Sequence, residues 1–143
     1  MRRSSTIAIA SLVVWIGVIF YMSSGQGSMD ETSRFIRPLL EFLFPSAAPE
    51  TITIYHSFIR KCAHFTEYAV LALLAYRAIK SPKHRLIWPV LLVVMVASLD
   101  ELNQSFDPTR TGSIYDVLLD IAGGSTMAAV IWLSGKIQRL RGV

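Results

Sequence analysis

Apolar residues in this chain fall in long blocks set apart by short polar stretches, a pattern that predicts helices rather than alternating strands. Thr6 to Met22 is one such block, and at about 1.5 Å per residue it reaches roughly 25 Å, a short transmembrane helix. From Ser28 to Pro49, Phe35, Ile36, Leu39, Leu40, Phe42 and Leu43 recur at helical spacing among Asp30, Glu31, Arg34, Arg37 and Glu41. That spacing predicts an amphipathic helix lying at an interface. Pro45 and Pro49 break it, and Glu50 to Ala78 predicts one long helix whose membrane part begins near Lys61. A basic turn follows. The next apolar run, Leu86 to Leu99, has only 14 residues, so Asp100 and Glu101 must lie at or just below the membrane surface if it spans. The last block runs from Ile114 to Leu133, with Asp116 and Asp120 in its first two turns.

These elements predict an all-α, polytopic membrane protein: one domain over residues 1–143, with spans at about 6–22, 61–79, 86–104 and 114–134. The amphipathic helix lies outside the cytoplasm between the first two spans. Hydrophobic content of 52%, charged content of 17% and a mean hydropathy of +0.46 exclude an ordinary soluble domain. A net charge of +4 does not imply nucleic acid, because no basic surface interleaved with aromatics is present. Position matters more than total. With four spans and the N-terminus inside, Arg2, Arg3, Arg77, Lys80, Lys83, Arg85, Lys136, Arg139 and Arg141 all fall in the cytoplasm, and every Asp and Glu falls towards the outside. Both termini are therefore expected to be cytoplasmic. The first block is longer than the usual apolar core of a signal peptide and no Ala-x-Ala follows it, so an anchor is expected rather than a cleaved leader. Trp88 and Trp132 fall near the inner interface, Trp15 is expected between helices, and Gly124 with Ala128 has the small-xxx-small spacing of close helix approach.

Polar residues gather at one membrane face. Lys61, His64 and Tyr68 share a helical stripe with Glu67 beside it; Asp100, Glu101 and Gln104 group at the end of the third span; Asp116 and Asp120 are four apart on the fourth. One pocket can gather all three sets, with Glu67, Asp100, Glu101, Asp116 and Asp120 facing Lys61, Arg110 and His64. The surplus negative charge calls for protons, a metal or a cationic ligand. One His with carboxylates and Gln suits a divalent metal such as Ca²⁺, Mg²⁺ or Mn²⁺, although no standard ligand motif is present. A plainer alternative is a hydrogen-bonded network that fixes helix packing, with Arg110 and Lys61 as counter-ions. Cys62 is the single cysteine and is expected to be a small packing residue.

The stretch from Arg60 to Tyr68, Arg-Lys-Cys-Ala-His-Phe-Thr-Glu-Tyr, is similar to the basic-x-x-His-Phe-x-Glu-Tyr motif of VanZ-like membrane proteins. Asp100-Glu101-x-x-Gln104-x-Phe106-x-Pro108-x-Arg110, followed by Asp116, Asp120 and Gly123, also resembles that family, as does Ser23-Ser24-Gly25-Gln26. Thr109 replaces the usual Gly, and Asn103 stands where His is frequent. The resemblance covers nearly the whole chain. It implies a bacterial cell-envelope role linked to teicoplanin resistance, and no agreed biochemical activity.

Two function classes follow. In the first, the protein binds a membrane lipid headgroup, a lipid-linked envelope precursor or a glycopeptide antibiotic through Lys61, Tyr68, Asp100, Glu101, Gln104, Arg110 and Asp120. In the second, it is an intramembrane hydrolase or transferase acting on a lipid-linked phosphate. Arg110 and Lys61 would hold the phosphate and His64 would act as acid and base, oriented by Glu67 or Asp116, with Ser105, Ser113 or water as nucleophile. A proton-coupled transporter is disfavoured, since the inner halves of the spans carry almost no polar residues. A homodimer is a natural expectation for so small a bundle.

Overall fold

The computed structural model describes residues 2–23, 29–79, 84–106 and 112–140, with side chains described from residue 5 and, in the second segment, from residue 32. The protein is all-α. Its helices are α1 (Arg2–Tyr21), α2 (Met29–Leu43), α3 (Pro49–Ala78), α4 (Ile87–Ser105) and α5 (Ile114–Leu140).

Helices α3 and α5 have local reasons for their ends. Pro49 opens α3 at the position where a missing N–H costs nothing, and the Ala48 carbonyl takes the N–H groups of Thr51 and Ile52 at 2.9 and 3.2 Å. Extended backbone at Ile79 ends it. Ser113 caps α5: its hydroxyl accepts the Tyr115 N–H at 3.2 Å, and Asp116 in the first turn meets the positive end of the helix dipole. The Ser113 N–H in turn donates to the Glu101 carboxylate, tying the end of α4 to the start of α5.

Helix α3 is the axis of the bundle and touches all four others, most extensively α5. The core at its centre is built from Ile19, Tyr68, Leu71, Ala72, Val93, Val96, Ala97 and Val117. Two glycines allow the close packing. A Cβ on Gly123 would overlap the Phe65 carbonyl oxygen of α3, and one on Gly124 would sit 2.7 Å from a Val93 methyl of α4. The close approach expected at Gly124 is present, and Gly123 beside it extends it to α3, so that α5 wedges between α3 and α4. Trp15 packs between helices as expected, its indole N–H donating to the Glu67 carbonyl at 3.0 Å. Cys62 is exposed, so the expectation of a packing role is corrected: it lies on the face of α3 turned away from the core.

Large apolar side chains ring the outside, among them Val13, Val14, Leu91, Met95, Leu118 and Val130, each half exposed or more. By length and apolarity α4 and α5 qualify as candidate membrane spans, while α1 has a shorter apolar part, Ser5–Tyr21. Helix α3 is long enough but carries Glu50, Arg60, Lys61, Glu67 and Arg77. The second helix is amphipathic and docks on the first turns of α3 through Leu40 and Ile52, both buried, while Phe35 and Phe42 stay 79% and 81% exposed.

Gly123→Ala is expected to lower the thermal midpoint of the purified protein, at a cost of about 1–3 kcal/mol for forced overpacking. Gly135→Ala, where an added Cβ meets nothing within 4 Å, leaves the midpoint unchanged or slightly raised. Differential scanning fluorimetry in detergent checks both.

Candidate functional site

Three helices bring the polar residues together at one end of the bundle. On α3, Lys61 is exposed, His64 and Glu67 are each 25% exposed at the side chain, and Tyr68 is fully buried. The stripe read from the sequence therefore runs from the mouth of the site into the core. On α4, Asp100, Glu101 and Gln104 are all buried. On α5, Asp120 is buried and Asp116 half-buried one turn nearer the mouth. Arg110, expected to be the principal counter-ion, lies outside the described residues.

His64 is the hub. Its Nδ1 stands 3.8 Å from Glu67 Oε2 and 3.9 Å from Asp120 Oδ1, beyond hydrogen-bond reach of either carboxylate but within range of a strong charge interaction once protonated. The packing of Gly123 against α3, one turn along from Asp120, is what lets these two helices come so close. Gln104 forms a second link: its amide donates to the Ser23 hydroxyl at 2.7 Å and to Asp100 Oδ2 at 3.1 Å, joining the end of α1 to α4. The Tyr68 hydroxyl and one oxygen each of Asp100 and Asp120 are buried with no hydrogen-bond partner among the described residues.

The single pocket expected from the spacing is divided in two. One recess, of about 100 Å³, has an apolar approach formed by Ile19, Met22, Ile36 and Ile59 and a polar end formed by His64, Glu67 and Asp100. The other, of about 150 Å³, is lined by Lys61, Glu101, Gln104 and Asp116 with Leu119 among them. Arg60 and His64 border both. Among the described residues no three His, Cys, Asp or Glu side chains converge closely enough to hold a metal ion. Ser105, a nucleophile candidate, is exposed and donates to the Leu102 carbonyl, and Ser113 is occupied as a helix cap; neither lines the recesses.

Sequence reasoning missed Arg60 as a member of the site in its own right, and it missed His56. His56 is buried where α2 meets α3, with its Nε2 3.0 Å from the Thr32 hydroxyl. Burial, and after it the Arg60 charge, pushes the His56 imidazole below its ordinary value. The spacing of His56 to Arg60 was a usable signal, since four residues apart on one helix places them on one face.

The architecture and site define an all-α protein with a buried carboxylate and histidine cluster at one end of an apolar bundle. The model of the VanZ/LLP1 family matches residues 8–135, and the chain belongs to that family. No curated protein and no solved structure matches it. Membership and the apolar helices make it a membrane protein, and the family points to an envelope protein associated with resistance.

Two outcomes test this geometry. Gln104→Leu removes the bridge between Ser23 and Asp100 and leaves a buried carboxylate less satisfied, costing about 1–3 kcal/mol in denaturant unfolding. His56 titrates below its ordinary 6.5 when α2 is docked, so docking is fully supported above that pH and weakens as pH falls through the lowered value. Thermal scans from pH 8 to pH 5 should show a loss of midpoint in the wild type and a smaller one in His56→Gln.

Proposed function

We propose that the protein crosses the bacterial cytoplasmic membrane four times with both termini in the cytoplasm, and that its carboxylate end faces outward and binds the headgroup of an envelope lipid or lipid-linked precursor. Arg77, Arg85, Lys136 and Arg139 gather at the end of the bundle away from the carboxylates, and the positive-inside rule, which counts Lys and Arg, assigns that end to the cytoplasm. Charges within α3 are tolerated in a span when they face a polar site rather than lipid.

The observation that carries the reading is the pair of recesses meeting at Arg60 and His64. One has an apolar approach suited to an acyl chain or prenyl group, and both end in groups of opposite sign. Such a pair suits an amphiphile whose head carries a phosphate and an amine: phosphate towards Arg60 and Lys61, amine towards Glu67 and Asp100. The same carboxylates suit a cationic amine of a glycopeptide antibiotic, which connects the site to the resistance associated with the family. Recesses of 100 to 150 Å³ take a headgroup or one amine, not the body of a glycopeptide.

One observation favours catalysis as a second reading. His64 lies between two carboxylates at 3.8 and 3.9 Å, the setting of a general acid and base, and with Ser105 and Ser113 outside the recesses water remains of the candidate nucleophiles.

Native mass spectrometry of the detergent-purified protein, titrated with short-chain phosphatidylethanolamine and phosphatidylglycerol, separates these readings. Preferred binding of the amine-bearing lipid, weakened about tenfold by Glu67→Gln, supports the binding role. Release of inorganic phosphate from a prenyl pyrophosphate, abolished by His64→Gln, assigns the enzyme instead. Phosphatidylethanolamine binding that Glu67→Gln leaves unchanged, with no phosphate release, contradicts both.

A further inference from the structure

The opposite end of the bundle holds a second concentration of charge, of one sign only. Arg77 closes α3, Arg85 lies just ahead of α4, and Lys136 and Arg139 lie in the last turns of α5. From Lys136 back to Asp120 is 16 residues of continuous helix, which places the cations roughly 24 Å from the buried carboxylates. No acidic residue exists in residues 68–99 or 121–143 to neutralise them.

These cations are organised around a recess. A cavity of about 560 Å³ opens between the end of α3, the start of α4 and the end of α5, lined by Tyr76, Arg85, Leu86, Trp132, Lys136 and Arg139. Two of its cations are held against aromatic rings: the Arg85 guanidinium stands 4.6 Å from the Tyr76 ring centroid, and the Lys136 ammonium 5.4 Å from that of Trp132. Stacking on a ring fixes the direction of each charge while leaving its N–H donors available. Leu86 is the residue before the first turn of α4 and no side chain caps that turn, so the positive end of the helix dipole adds to the field. A neighbouring recess shares Tyr76 and Arg85 and adds Arg77 beside Ile7 and Leu74 of the apolar outer surface.

We propose that this recess binds an anionic phosphodiester, presented as the headgroup of an acidic phospholipid in the leaflet around that end of the bundle. Arg85, ahead of α4, and Lys136 with Arg139, one turn apart on α5, supply the cations that meet the phosphate. Trp132, 54% exposed, lies where amphipathic rings settle at the boundary between headgroup and hydrocarbon. A basic pocket between helices at a membrane surface has the chemistry for such headgroups, and among the described residues no Asp or Glu side chain belongs to this end of the bundle. The inference draws on the protein's residence in a membrane but not on the carboxylate site at the other end. Its ligand has no amine, so the two sites are distinguished by their preferences.

The test uses full-length protein in nanodiscs of phosphatidylcholine doped with phosphatidylglycerol, the annular lipid being extracted with detergent and the retained lipid counted by mass spectrometry. The expected result is about one phosphatidylglycerol retained per chain against a phosphatidylcholine background. Retention should fall at least tenfold in Lys136→Gln/Arg139→Gln and stay unchanged in Arg37→Gln, a cation on α2 already paired with Glu41 at 2.8 Å. Inorganic phosphate at millimolar concentration separates the two sources of the same chemistry. Retention that persists in phosphate assigns the lipid, whereas displacement by phosphate overturns the lipid assignment. Wild-type protein that retains the two lipids in proportion to their abundance overturns the proposal outright, and this comparison needs no variant to fold.

Discussion

Burying a carboxylate between helices costs several kcal/mol unless charge or hydrogen bonds compensate it, and this protein buries three, Asp100 and Asp120 at 1% exposure and Glu101 at 8%. Much of the surrounding architecture answers that cost. Gln104 reaches from Asp100 to Ser23 and so fixes where α1 ends. His64 is brought to 3.9 Å from Asp120 by a helix crossing that requires Gly123 to have no side chain. Glu101 closes the hairpin between α4 and α5 by accepting a backbone N–H, so it acts on position rather than as a free charge. The compensation is incomplete: one oxygen of each aspartate has no hydrogen-bond partner among the described residues. A network evolved only to pack helices would gain from apolar residues at those places, and a site that receives a ligand would not.

The charges of the chain are sorted along the bundle axis. Acidic groups and a few cations share one end, cations alone occupy the other, and the helical faces between them are apolar and exposed. That sorting has a simple physical origin, since neither sign is tolerated in hydrocarbon and the positive-inside bias then separates them across it. The two ends accordingly offer different chemistry: one a pair of small recesses of mixed charge, the other a wider basic recess walled by aromatic rings.

Periodicity and punctuation made the helices legible. Pro49 and the basic residues after Ala78 mark boundaries that the structure places within a few residues of where the pattern put them, while α1 begins earlier and α5 ends later than expected. The family was readable from the Arg60 to Tyr68 stretch. Span number was less legible, because α3 carries charges that apolarity alone cannot forgive. Depth within the site was not legible either. Lys61 and Tyr68 belong to one stripe, yet one is exposed and the other fully buried, a difference set by how α3 leans against α1 and α5. The division into two recesses and the role of His56 likewise depend on the docking of α2, which no local pattern specifies.

The central claim is that the buried carboxylates are held for a ligand rather than for packing. Chemical unfolding of Asp100→Asn in detergent, beside the wild type, tests it most directly, because Asp100 is both buried and part of the wall of the recess. Asn keeps the size of the side chain and replaces the ionisable oxygen by an amide. If the carboxylate is kept at a cost for binding, Asp100→Asn is as stable as the wild type or more so and loses lipid binding. A loss of about 2 kcal/mol or more, with binding per folded molecule unchanged, would identify Asp100 as part of a structural network and contradict the account.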